Sequence, residues 1–166
     1  TLEPTPTVSS IDVTEVDSQA GGNQTIVVTG TNFSAGGTII FVGNSGTDFN
    51  ASTTTYNSST QVTAVAPKSN FLNAQEPYKV KFTSSSGVSG VSANGLINVD
   101  TAPSWSTASG SLGSVNENDT GNFTVSATDA DGDTIAYSLQ SGSLGGLSLN
   151  SSSGAITGTP TAVSSD

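Results

Sequence analysis

The stretch FTVSATDADGDTIAYSL, residues 123–139, decides the fold class of this chain. Before its acidic centre, apolar residues alternate with Thr and Ser, and after it the alternation resumes with Ile135, Tyr137 and Leu139. A period of two on both sides of a polar break that contains glycine predicts two half-buried strands joined by a turn. We therefore expect a β-hairpin over residues 123–139, with its turn at 129–133.

The composition of the whole chain also favours strands. Apolar residues make up 33% and charged residues 10% of the 166 residues, and Ser, Thr, Asn and Gly are abundant. Apolar residues do not recur with the spacing i, i+3, i+4, i+7 over three turns anywhere, so we expect no substantial helix. No apolar run approaches the length that crosses a bilayer. The predicted fold class is all-β.

Short strands are also predicted throughout the first hundred residues. Tyr78, Val80 and Phe82 alternate with two lysines, and residues 38–42 form a continuous apolar run that suits a central strand. Several short strands separated by turns rich in Gly and Asn are typical of a β-sandwich. Further strands are expected over residues 25–30, 53–56, 61–66 and 95–100. The aromatic residues expected in a core are Phe33, Phe41, Phe82, Phe123 and Tyr137, and Trp105 is expected in a core or at a domain interface.

Charge and residue types exclude several functions. The net charge is −10, with three Lys and no basic stripe, which argues against nucleic acid as a partner and disfavours anionic membranes. The same charge favours solubility and attracts divalent cations. The chain has no His and no Cys, so nucleophiles that depend on either are impossible. The sequence therefore predicts a protein that is not an enzyme.

The first part of the chain resembles a known family. GGNQTIVVTGTNFSAGGTIIFVG (residues 21–43), followed by STQVTAVAPKS and PYKVKFTSSSG, is similar to the IPT/TIG family of immunoglobulin-like domains. These domains share the order GG…V-x-G-x-N-F…V-x-F-x-G and a later V-x-x-P. The resemblance implies an immunoglobulin-like sandwich over residues 1–100.

The second part resembles a different immunoglobulin-like group. APSW, VNEND, FTVSATDADGDTIAYSL and GLSLNSSSGAITGTP follow one another in the order found in cadherin-like/putative-Ig modules of long microbial and phage surface proteins. The resemblance implies a second sandwich over residues 101–166. Such a domain needs one or more strands after residue 166, so this sandwich is expected to be incomplete at its C-terminus. The chain begins at Thr1 without a signal segment, and we expect it to be a piece of a longer protein.

The acidic turn has two interpretations. Three carboxylates within five residues suit Ca²⁺, which takes six to eight oxygen ligands, and they equally suit a solvated turn of ordinary turn-forming residues. In cadherin-like domains an acidic turn meets a Glu from an early strand and an Asp from the linker, which implies weak calcium binding, on the order of 10⁻⁴ to 10⁻³ M, as in extracellular modules. The ligands so implied are Asp129, Asp131, Glu117 and Asp100, with Asp119 and Asp133 as further candidates.

The resemblance also sets the expected role. Tandem immunoglobulin-like sandwiches serve as spacers, decorations or adhesive units, and this pairing looks like virion proteins of bacteriophages: fibre, tail or head-decoration components. The alternatives are a subunit or repeat of a bacterial or archaeal surface adhesin or appendage, and a carbohydrate-binding accessory module. The expected partners are other subunits of a virion or surface assembly, copies of the chain itself, and a glycan or protein on a host cell. The expected location is the virion or the cell surface.

Overall fold

The computed structural model describes residues 2–160, and this part of the chain is all-β. Its helical content is limited to two 3₁₀ turns, Lys68–Asn70 and Asn73–Gln75. The predicted absence of substantial helix is thus confirmed for residues 2–160, and no helix there is long and apolar enough to cross a membrane. The chain divides into two compact units between Thr101 and Ala102.

The first unit is a β-sandwich built from two antiparallel sheets of four strands. One sheet has the order β1-β3-β7-β6 and the other the order β5-β4-β8-β9, while β2 and β10 form a separate parallel pair. The strands are β1 (Thr7–Ile11), β2 (Glu15–Asp17), β3 (Asn23–Thr31), β4 (Thr38–Val42), β5 (Phe49–Asn50), β6 (Thr53–Ser58), β7 (Gln61–Pro67), β8 (Lys79–Thr83), β9 (Ser89–Val91) and β10 (Asn98–Asp100).

Alternate residues of these strands fill the space between the sheets. In β8, Val80 and Phe82 are fully buried while Lys79 is exposed, as the sequence predicts. The predicted central strand, β4, does lie between two neighbours, β5 and β8. The core of this unit is Val8, Val16, Ile26, Val28, Phe33, Ile39, Phe41, Val62, Ala64, Ala66, Phe71, Tyr78, Val80, Phe82, Ile97 and Val99.

Four aromatic side chains pack against one another in one region of this core. Phe41, Phe49, Phe71 and Tyr78 lie with ring centroids between 5.0 and 5.7 Å apart, mostly edge to face. Edge-to-face pairs place the positive ring edge against the negative face of the next ring, which adds to the stabilisation from burial. The sequence pattern predicts Phe41 in the core but not Phe71, which lies just after a 3₁₀ turn rather than in a strand.

The second unit has fewer and shorter strands. They are β11 (Ser104–Trp105), β12 (Gly121–Thr124), β13 (Ala127–Thr128), β14 (Leu147–Leu149) and β15 (Ala155–Gly158). One antiparallel sheet has the order β12-β15-β14, and β11 pairs with β13. Within residues 102–160 only Gly121 and Gly154 are buried, so no large apolar side chain of this stretch is fully covered. The expectation that this sandwich is incomplete at its C-terminus concerns a region outside the described residues.

The predicted hairpin over residues 123–139 is correct in its alternation as far as Tyr137 and wrong in its second strand, and Leu139, expected on the apolar face, is 48% exposed. Phe123, Val125, Ala127, Ile135 and Tyr137 are half-buried, and the residues between them on each side of the turn are exposed. Residues 134–140, however, form no strand, because no described strand pairs with them. Their one backbone hydrogen bond in the described part joins the Tyr137 N–H to the Ser151 carbonyl oxygen, at 2.8 Å.

The aromatic residues of the second unit are also less buried than predicted. Phe123 and Tyr137 are half-buried rather than core residues, and Trp105 is 66% exposed. The expectation of a buried Trp105 is therefore wrong. The physical reason is that β11 contains two residues and pairs only with β13, so no described layer covers the indole ring. In the first unit, by contrast, the predicted core residues Phe33, Phe41 and Phe82 are all buried.

Candidate functional site

The acidic turn is closed by one of its own carboxylates. Asp129 Oδ1 accepts hydrogen bonds from the backbone N–H groups of Asp131, at 2.9 Å, and Asp133, at 3.1 Å. This arrangement is the one by which Asp residues commonly stabilise turns. Gly132, between the two donors, has φ +82°, a conformation that favours glycine. The geometry thus gives Asp129 a structural role within the turn.

The predicted calcium ligands outside this turn lie on two separate segments. Asp100 is the last residue of β10, where it pairs with Asp17 of β2 in the first unit. Glu117 and Asp119 lie in an exposed turn before β12, and Asp119 Oδ2 accepts a hydrogen bond of 3.0 Å from Asn116 Nδ2. In residues 2–160 no three Asp or Glu side chains come together in a group that could hold a metal ion. Calcium binding by these six residues stays a prediction.

An open apolar groove lies elsewhere in the second unit. It has a volume of about 290 Å³, and its lining residues are Trp105, Thr107, Ala108, Ser109, Gly110, Leu112 and Val125. Trp105 and Leu112 are 66% and 40% exposed, so the groove presents apolar surface to solvent. This groove is the candidate binding site of the second unit.

The wall of the groove is held in place by hydrogen bonds to β13 and its approach. The N–H groups of Ser106 and Thr107 both donate to the Ser126 carbonyl oxygen, at 2.9 and 3.1 Å. The Thr107 hydroxyl in turn accepts the Ser126 N–H at 2.7 Å. The backbone that follows Trp105 is therefore held in place by hydrogen bonds to Ser126.

The ring of Tyr137 packs against the ring of Trp105. The two ring centroids are 5.9 Å apart at an interplanar angle of 47°, and the Tyr137 hydroxyl accepts a hydrogen bond of 3.1 Å from the Ala127 N–H. The sequence did not predict this pair. The two residues are 32 positions apart, and nothing in the local pattern of either signals that their rings touch.

Two titratable groups of the first unit are shifted by their surroundings. The hydroxyl of Ser86 donates to Glu3, and this bond lowers the pKa of the Glu3 carboxyl. Burial raises the pKa of the Tyr78 hydroxyl, which accepts a hydrogen bond of 2.9 Å from the Leu72 N–H. Both interactions are structural: Glu3 ties the N-terminal segment to the loop after β8, and Tyr78 ties residues 70–72 to the core.

A family model matches the second unit of the chain. Residues 102–166 match the model of the family described as Putative Ig domain. No curated protein sequence matches the chain.

Two of the similar solved structures are fragments of titin. The chain aligns with an I-band fragment at a TM-score of 0.48 and 12% identity, over 98% of this chain and 58% of the fragment. It aligns with a three-immunoglobulin-domain titin variant with Glu-to-Ala mutations at a TM-score of 0.47 and 12% identity, over 96% of this chain and 54% of the variant. The chain thus spans little more than half the length of these titin structures. By the family match, the second unit is similar to immunoglobulin-like domains, a type that generally acts as a structural or binding module.

Proposed function

We propose that this chain is a non-enzymatic structural or adhesive module of a bacteriophage virion, in a fibre, tail or head decoration. In this proposal residues 1–100 are an IPT/TIG-like domain and residues 101–166 a cadherin-like one. The observation that carries the proposal is the filled interior of the first unit, where sixteen apolar residues pack between two sheets. A sandwich whose interior is occupied by its own side chains offers its outer faces and edges, rather than a cavity, for contact with other molecules.

The surface chemistry supports an assembly role outside the cell. The chain is acidic, lacks Arg and Cys, and is rich in Ser, Thr, Asn and Gly. Such a surface keeps neighbouring molecules soluble through charge repulsion and leaves neutral strand faces available for specific contacts. The resemblance of both units to modules of microbial and phage surface proteins adds the setting, and the virion is the setting we favour.

Immunogold labelling distinguishes the virion from the cell surface. Antibodies raised against the chain should label purified phage particles and leave uninfected host cells unlabelled. Labelling of the envelope of uninfected cells, together with clean particles, would contradict the virion and support the adhesin or appendage subunit. Labelling of neither would overturn both assembly roles.

The carbohydrate-binding alternative is favoured by one observation, the exposed Trp105 beside the groove. A sugar ring would stack on the indole, and the charge of −10 restricts the ligand to neutral glycans because anionic ones are repelled. Titration with soluble neutral oligosaccharides should then quench Trp105 fluorescence. A fluorescence spectrum that stays unchanged across such a panel would remove this alternative.

A further inference from the structure

Residues 134–140 have a backbone edge that no strand within residues 2–160 uses. Ile135 and Tyr137 are half-buried while Ala136 and Ser138 are exposed, the alternation of a strand, although no described strand pairs with the stretch. We propose that this edge pairs, antiparallel, with the same stretch of a second copy of this chain. The result is a dimer held by a β-ladder between two second units.

One backbone N–H of residues 134–140 is hydrogen-bonded to the rest of the unit, whereas other backbone groups of this stretch have no partner within residues 2–160. The Tyr137 N–H donates to the Ser151 carbonyl oxygen, so Tyr137 directs its N–H toward the body of the unit. Because N–H and C=O groups of successive residues in a strand point to opposite sides, a strand formed here on pairing would direct those of Ala136 and Ser138 away from it. Within residues 2–160 these groups make no hydrogen bond. They are the donors and acceptors that a second strand needs.

Tyr137 fixes the register of the pairing. It is anchored by the Ser151 and Ala127 hydrogen bonds and by its contact with Trp105, so the centre of the stretch is already ordered. Centring the two-fold axis on Tyr137 places Ala136 of one copy opposite Ser138 of the other as a hydrogen-bonded pair. It also places Ile135 opposite Leu139 on the apolar face, which covers a Leu139 side chain that is 48% exposed. Apolar pairs of this kind stabilise a ladder.

The distribution of charge favours a second copy of the chain as the partner and an antiparallel direction for the ladder. Residues 134–160 contain no charged residue, although residues 102–133 contain five acidic residues and no Lys. Two copies can therefore meet at this edge without facing carboxylates. In the antiparallel arrangement the two Asp133 residues lie at opposite ends of the ladder, roughly 25 Å apart at about 3.3 Å per residue. That separation exceeds the Debye length of about 8 Å at physiological ionic strength, whereas a parallel ladder would set the acidic turns side by side.

The stretch also lacks the features that usually block edge pairing. Exposed edges are commonly protected by Lys, by Pro or by a bulge, and TIAYSLQ contains neither Lys nor Pro. A neutral seven-residue segment with alternating apolar residues is the type that pairs with its own kind. The carboxylates of the acidic turn lie at one end of the stretch and would repel the acidic turn of a third chain. The ladder is therefore limited to two copies.

The mass of the chain in solution tests the proposal. In sedimentation equilibrium the chain should shift, as its concentration rises, from 16.4 kDa toward twice that mass. Ser138→Pro removes the outward N–H and should leave a monomer, whereas Ser138→Ala keeps the N–H and should still dimerise. Unchanged circular dichroism and Trp105 fluorescence of a dilute Ser138→Pro sample would show that the variant folds. A monomeric parent chain at every concentration, or a dimeric Ser138→Pro, overturns the proposal.

Thiol cross-linking tests the direction of the ladder. The chain has no Cys, so each introduced thiol is unique. An equal mixture of Ala136→Cys and Ser138→Cys chains should cross-link mainly as the mixed pair, because these positions face each other in the antiparallel register. Cross-linking mainly within each variant alone would indicate a parallel ladder and contradict the proposed arrangement.

Discussion

Gly30 shows how a single residue fixes the approach of two strands. It lies in β3 opposite Val8 of β1, and a Cβ at this position would collide with the Thr7 carbonyl oxygen and lie 2.6 Å from Phe33 Cζ. We expect Gly30→Ala to lower the free energy of unfolding by about 1–3 kcal/mol, because β1 must move away. Denaturant melts should show this loss, while Thr29→Ala, an exposed change in the same strand, should stay within about 0.5 kcal/mol. Equal losses for the two variants would contradict this role of Gly30.

Tyr78 makes the first unit sensitive to alkali. Burial raises the pKa of its hydroxyl above the value of about 10 that an unfolded chain has. Above pH 10 the unfolded chain therefore releases a proton that the native chain keeps, so stability falls as pH rises. We expect Tyr78→Phe to cost about 1 kcal/mol at neutral pH, where the Leu72 N–H loses its acceptor, and to show a shallower loss of stability above pH 10. Parallel denaturant melts across this range measure both effects, and identical pH slopes would refute the assignment.

At this scale the sequence predicts side chains well where a strand has neighbours on both sides. Phe41 and Phe82 lie in β4 and β8. A continuous apolar run was enough to predict the burial of Phe41, and alternation with lysines was enough to predict that of Phe82. Trp105 could not be placed in this way, because its burial depends on what covers a two-residue strand. The Tyr78 hydroxyl bond to Leu72 was equally hidden, since it depends on the path of the loop before β8.

The acidic turn is the element whose role two variants can separate. Asp129 Oδ1 accepts two backbone N–H bonds, and Asn offers an oxygen in the same place. Without calcium, Asp129→Ala should therefore lose about 1 kcal/mol of stability, while Asp129→Asn should lose little. Thermal melts of both variants, read by Trp105 fluorescence, measure this difference. Equal losses would mean that the turn does not depend on the Asp129 acceptor.

Calcium should act on the same turn through charge. If the dissociation constant is about 1 mM, then calcium at about 10 mM adds about 1.4 kcal/mol to the stability of the second unit. Asp129→Asn should lose this gain although its turn is intact, because it lacks the charge that attracts the ion. If calcium does not change the melting temperature of the parent chain, the solvated turn is the correct interpretation of residues 129–133.

At the scale of elements, sequence pattern predicted periodicity better than pairing. The alternation predicted over residues 123–139 is present in the structure as far as Tyr137, yet 134–140 is not a strand. Alternation depends only on the local backbone and on which face meets the interior. A ladder also needs a second strand at hydrogen-bond distance, and the local sequence contains no information about that partner. The groove beside Trp105 was not predicted for the same reason, because the local sequence does not show which segments lie next to each other.

At the scale of the whole molecule, the two units differ in how much apolar surface they bury. The first has sixteen buried apolar residues, and within residues 102–160 only two glycines are buried. The sequence predicted an all-β chain of immunoglobulin-like sandwiches, and this fold is confirmed. It did not predict the imbalance, because the apolar alternation of 123–139 is as clean as that of β8.

This imbalance determines the order in which the units unfold. Small units with little buried surface are marginally stable, so the second unit should unfold at lower denaturant than the first. Trp105 is the only tryptophan and lies in the second unit, so its fluorescence follows that unit, whereas far-UV circular dichroism follows both. We expect the fluorescence transition to precede the later circular dichroism phase. Phe71→Ala should weaken the first unit by about 3–5 kcal/mol and move only that later phase. A single transition shared by both signals, or a Phe71→Ala shift in Trp105 fluorescence, would mean that the units unfold together.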